Sequence, residues 1–135
     1  MINRNVKNTA LGTVAALSVA VLATSCAASS QPDNLSDDEQ QKIVKLVQDQ
    51  GADISSPSCS VEVFRVEGKS TYGWASCTDS NSVAAGSGAK AEAFPFKISG
   101  NKIQKPDEGS GYRKEVHKLF PEDLWNAVDQ HSQGA

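Results

Sequence analysis

Residues 59–77 read CSVEVFRVEGKSTYGWASC. Two runs rich in Val, Phe, Thr, Tyr and Trp flank Gly68, the pattern of two strands joined by a tight turn. A three-residue turn at Glu67, Gly68 and Lys69 predicts that Cys59 faces Cys77, Val61 faces Ala75 and Val63 faces Gly73 on one side of the hairpin. The same register sets Phe64 against Tyr72 and Glu62 against Trp74 on the other side. Directly opposed residues at a non-hydrogen-bonded position stand about 4.5 Å apart between Cα atoms, which a disulfide accepts. A bridge from Cys59 to Cys77 is therefore predicted, and closing a loop of this size contributes about 3 kcal/mol in the chain-entropy picture. Zinc ligation fits poorly, because the pair forms no C-x-x-C and has no adjacent His. Apolar residues occur on both faces, so one face is expected under helices and the other partly open.

Working outward, Ser36-Asp37-Asp38-Glu39 has the form of a capping box with acids in the first turn. Ile43, Val44, Leu46 and Val47 follow at helical spacing, and Gly51 is expected to close this helix. On the other side, residues 78–90 are small and polar and read as a mobile loop. Its GSGAK ending lacks the spacing and the terminal hydroxyl of a phosphate loop. Phe94, Phe96 and Ile98 alternate ahead of Ser99-Gly100-Asn101, predicting a second hairpin that returns near Ile103. Pro95 points to an edge position. Beyond Pro106, Tyr112, Val116, Leu119 and Phe120 form one helical side, and Pro121 opens a second helix carrying Leu124, Trp125 and Val128. The expected fold is α+β: an amino-terminal helix, an antiparallel sheet of about four strands from two hairpins, a carboxy-terminal helix pair and one disulfide, in a single domain over 36–135.

The first 25 residues run from a basic lead with Arg4 and Lys7, through an apolar stretch, to small residues. That is the layout of a secretory signal peptide, and the apolar stretch is shorter than the roughly 20 residues of a membrane span. Leu22-Ala23-Thr24-Ser25-Cys26 resembles the lipobox of bacterial lipoproteins, with Ala23 where the family most often has leucine. The resemblance implies cleavage between Ser25 and Cys26 and attachment of diacylglycerol, with palmitate-type chains, to the Cys26 thiol. One acyl chain holds a protein only marginally, whereas two anchor it stably. Residues 26–35 read as a flexible tether, and the nine residues before Leu35 reach roughly 30 Å at most. The expected location is the extracytoplasmic side of the cell membrane.

Past the signal segment, 11 basic side chains face 16 acidic ones, a balance of −5 that argues against nucleic acid and against adhesion to anionic lipid through a basic face. Tyr72-Gly73-Trp74-Ala75-Ser76-Cys77, the turn from Pro106 to Tyr112, and Leu119-Phe120-Pro121 are similar to segments of small uncharacterised exported lipoproteins of actinobacteria. That resemblance implies an envelope lipoprotein and assigns no chemistry. Nothing in the sequence has the form of a nucleophile elbow or a metalloprotease motif. His117 reads as a solvated helix residue, and His131 falls in a carboxy-terminal stretch where fraying is usual. No enzyme, cofactor or metal is therefore expected. The functional expectation is a small binding module that holds an envelope protein or glycan near the membrane. An exported hydrolase inhibitor is the alternative, and a small enzyme comes after it. Tyr72 and Trp74, if exposed, together with Ser80 and Asn81 in the 78–90 loop, form the candidate contact surface.

Overall fold

A computed structural model describes residues 35–84, 86 and 88–134. Ser25, Cys26 and nearly all of the expected tether lie outside the described residues. Helix α1 spans Asp37–Leu46 and runs into a π-helical turn, Val47–Gly51. Strands β1 (Pro57–Glu67) and β2 (Ser70–Asp79), a short helix α2 (Ser80–Ala84), and strands β3 (Ala91–Ser99) and β4 (Lys102–Gln104) follow. Helix α3 (Tyr112–Leu119), a 3₁₀ turn (Glu122–Leu124) and helix α4 (Trp125–Ser132) complete the chain. The strands form one antiparallel sheet in the order β1-β2-β3-β4, so the α+β expectation is met.

Helix α1 starts where the sequence signals it. The Glu39 amide donates to Ser36 Oγ at 3.3 Å, and the Ser36 amide donates back to Glu39 Oε2 at 3.0 Å. The Ser36 amide, and the Ser36 hydroxyl that donates to the same Oε2 at 2.8 Å, hold the Glu39 carboxyl below its ordinary range. At the other end Gly51 acts through space rather than through a left-handed backbone. A Cβ there would lie 2.9 Å from Ile103 Cδ1 and 3.2 Å from the Phe94 ring, so glycine lets the π-helical turn rest on β3 and β4. Lys105 then donates to the Gly51 carbonyl at 2.8 Å, which satisfies an otherwise orphaned helix-end acceptor.

The β1–β2 register matches the expected one from Ser58 opposite Thr78 to Val63 opposite Gly73, with Cys59 opposite Cys77. Those two cysteines are joined by a disulfide with Cα atoms 4.1 Å apart. Nearer the turn the expectation fails. Arg65, not Phe64, faces Tyr72, and the ladder closes with Glu67 opposite Ser70. The turn therefore holds two residues, with Gly68 at φ +58°, and Phe64 is the extra residue of a β-bulge. A bulge plus a two-residue turn displaces the chain as far as a three-residue turn alone, which is why the cysteine register survives the error. The bulge directs Phe64 and Arg65 to the same side of the sheet, Phe64 against the carboxy-terminal helices and Arg65 to Asp123.

As expected, one face of the sheet lies under a helix and the other is partly open, with helices over only part of it. On the cysteine face, Val63, Ala75, Cys77, Phe94, Phe96 and Ile98 pack beneath Ile43 of α1 and Val47 of the π-helical turn. On the opposite face, Tyr72 and Trp74 pack beneath Val116, Phe120, Leu124 and Val128. Period-two alternation along β2 deals successive side chains to these two cores. Gly73 is required on the first face, because a Cβ there would meet the Glu62 carbonyl at 2.4 Å and the Phe96 ring at 2.7 Å. Pro95 falls where β3 has β2 on one side and no β4 partner on the other, since β4 pairs only with Lys97, Ile98 and Ser99.

The segment read as one mobile loop begins with regular structure. Strand β2 continues to Asp79, whose buried carboxylate accepts from the Asn81 amide at 3.0 Å. Ser80 donates its amide to the Ser56 carbonyl at 3.0 Å, and Asn81 Nδ2 donates to Ser56 Oγ at 2.7 Å. These contacts tie α2 to the chain entering β1.

Candidate functional site

Helices α3 and α4 cover only part of their side of the sheet. Past Trp74, β2 presents Ser76 and Thr78, β1 presents Ser58 and Ser60, and β3 presents Ala91 and Ala93, all exposed. Such side chains offer little apolar area, so burying them would gain little, and among the described residues no helix is held over them. The boundary between covered and bare sheet is an open cleft of about 620 Å³, lined by Ser60, Glu62, Trp74, Ser76, Ala93 and His131.

The carboxy-terminal helix forms one wall of the cleft through a fully engaged imidazole. His131 Nδ1 lies 2.7 Å from the Ala127 carbonyl oxygen, and Nε2 lies 2.9 Å from Glu62 Oε2. A carbonyl and a carboxylate can only accept, so filling both contacts requires a proton on each ring nitrogen, which is the imidazolium. Burial pulls the His131 pKa down, but the Ala127 carbonyl and the Glu62 carboxylate outweigh it and hold the value above the ordinary histidine range. The ring is tilted against Phe64 and Trp74, with centroids 5.1 and 5.4 Å away. A cation beside these ring faces gains further attraction. With both nitrogens occupied, His131 has no lone pair free to take a proton from Ser60 or Ser76.

The residues singled out from sequence are distributed unequally around this cleft. Trp74 is 6% exposed and Tyr72 8%, so both rings belong to the core, where Tyr72 packs against Phe120 at 5.6 Å between centroids. Neither ring is a free contact surface, although Trp74 reaches the floor of the cleft. Ser80 and Asn81 are exposed at the start of α2. Cys59 and Cys77 serve the opposite core. His117 is exposed and stacks on Trp125, with ring centroids 3.7 Å apart and 11° between planes. His131 is not a frayed residue, and its partner Glu62 is 69 positions away, which no local pattern signals. The one available hint was the parity of Glu62, on the same face as Trp74.

Among the described residues no group of three or more His, Cys, Asp or Glu side chains is placed to hold a metal ion, and no helix is long and apolar enough to cross a membrane. No protein-family model, curated protein or solved structure matches the chain.

Proposed function

We propose that the chain is a lipid-anchored binding module of the cell envelope, tethered through Cys26 and engaging a protein or glycan at the bare half of its sheet. The observation that carries the binding reading is the cleft itself, an exposed floor of Ser60, Ser76 and Ala93 backed by the Trp74 ring and a fixed carboxylate–imidazole pair. Ligand sites combine apolar and aromatic lining with a few convergent polar groups, here Trp74 and Ala93 beside Ser60, Ser76 and the Glu62–His131 pair. The anchoring reading rests on Leu22 to Cys26. A tether of this length keeps the cleft near the membrane surface, where an envelope partner is locally concentrated.

The test is crosslinking capture from intact cells with the wild-type chain and with the Ser60→Arg, Ser76→Arg double variant, which fills the floor with exposed side chains while sparing both cores. Loss of a specific partner in the double variant, with its circular dichroism unchanged, is the expected outcome. Undiminished capture would move the contact surface to α2 and residues 86–90. If the captured partner is a hydrolase, its rate with and without the chain decides the inhibitor reading. Mass spectrometry of the mature chain checks the anchor, which an unmodified Cys26 would exclude.

A further inference from the structure

The pairing of Glu62 on β1 with His131 at the end of α4 has a consequence independent of any partner. An imidazole has two N–H groups only while protonated, and here both are used, one toward its own helix and one toward the sheet. When the proton is lost, one nitrogen becomes a lone pair facing either the Ala127 carbonyl or the Glu62 carboxylate. If Nε2 is bare, two acceptors face each other and the Glu62 contact parts; if Nδ1 is bare, repulsion from the Ala127 carbonyl turns the ring and the bond to Glu62 loses its charge assistance, so the fastening to β1 weakens either way.

We propose that His131 is a proton-operated latch: as an imidazolium it fastens the last turn of α4 to β1, and on losing its proton it releases that turn and widens the cleft it walls. The released proton passes to solvent directly, since the His131 side chain keeps 28% of its exposure. Few other groups complicate the titration. Strand β1 turns Glu62 toward the ring, and β2 turns the uncharged Trp74 toward it. On α3, Arg113 is committed to Asp129 of α4 at 3.0 Å, and Tyr112 shares a hydrogen bond with Ser132. Burial raises the Tyr112 phenol above its ordinary range, so it stays neutral while the histidine titrates.

The movement is local because α4 has a second, apolar attachment. Val128 is fully buried and Leu124 nearly so, which holds the first turns of the helix whatever the state of His131. Residues 129–134 depend on the latch together with the exposed Arg113–Asp129 pair. His131 has a higher pKa folded than unfolded, so the latch contributes fully below the unfolded value of about 6.5. Its contribution disappears as pH rises through the folded value. The cleft is thus narrow in acid and wider in mildly alkaline conditions.

The experiment is amide hydrogen exchange on the full chain in steps from about pH 5.5 to about pH 8.5, the two end values lying on either side of the histidine range, and corrected for intrinsic exchange. Wild type, Glu62→Gln and His131→Gln are compared. Expected is a several-fold loss of protection at residues 129–134 in wild type at the higher pH, with α1 and β2 unchanged. Glu62→Gln keeps a hydrogen-bonding group but lowers the ring's basicity, so its loss of protection moves to lower pH. His131→Gln, which cannot titrate, shows no pH-dependent loss. Equal protection of 129–134 at both pH values in wild type overturns the latch. So does a pH-dependent loss that persists unchanged in either variant, and if one variant fails to fold the other decides.

Discussion

The two faces of the sheet are built from the same strands yet are held in different ways. On the cysteine face the seal is apolar and covalent: Val47, Val63, Ala75 and Phe96 are fully buried, Cys77 nearly so, and the disulfide locks β1 to β2 directly beneath them. On the other face the packing is aromatic, and ionic contacts fasten its rim, Arg65 to Asp123 at one end and Glu62 to His131 toward the other. Apolar burial and a disulfide do not change with proton concentration across the physiological range, whereas rim contacts between titratable groups do. The first face can therefore serve as the rigid base, and the second can adjust without unfolding the domain.

The sharpest way to break this comparison is to remove one large side chain from each core. Phe96→Ala should cost about 3–5 kcal/mol, a large share of the roughly 5–15 kcal/mol that holds a typical domain. Its cavity is walled by hydrogen-bonded strands and by Gly73, which cannot close inward. Phe120→Ala should fall at or below the lower end of that range, because the link from α3 to α4 carries no strand pairing and can settle into the space. Urea unfolding of both variants measures the gap, and equal losses would mean the two faces are equally rigid.

A smaller effect is expected from the crosslink alone. Reducing the Cys59–Cys77 bond, or replacing both cysteines with alanine, should lower stability by about 3 kcal/mol for a sequence separation of 18. A thermal melt with and without reductant reads this directly. The cleft should keep its Glu62–His131 contact in the reduced protein at acidic pH, because that contact lies on the opposite face.

The smallest effect belongs to Arg65→Gln. Hydrogen bonding to Asp123 raises the Arg65 pKa, and the same bond from Arg65 lowers that of Asp123, but both side chains reach solvent and such pairs are weak and screened. The melting temperature should drop slightly at low salt and not at all near about 1 M salt. The pH response also has the opposite sign from the latch. Asp123 has a depressed folded pKa, so its contribution is present above the unfolded carboxylate value and is lost as pH falls through the folded one. Stability profiles of Arg65→Gln and His131→Gln against wild type should thus diverge from it at opposite ends of the pH scale.

Much of this architecture was legible in the residues themselves because it depends on local rules. Ser36 and Glu39 marked the first helix, Gly68 marked the hairpin turn, and alternation from Phe94 to Ile98 marked a strand, each through interactions within a few positions of one another. The opposition of Cys59 and Cys77 followed from strand period and turn position. Other features required the folded chain. Period two says that Tyr72 and Trp74 share a face, but only the docking of α3 and α4 decided that this face is core. The bulge at Phe64 could not be told from a longer turn, since both give the same register at the cysteines. Glu62 and His131 are distant in sequence, and nothing local makes either residue unusual. Their contact exists because the aromatic core sets α4 at one angle across the sheet, bringing an ordinary carboxylate and an ordinary imidazole within hydrogen-bonding distance at the edge of a cleft.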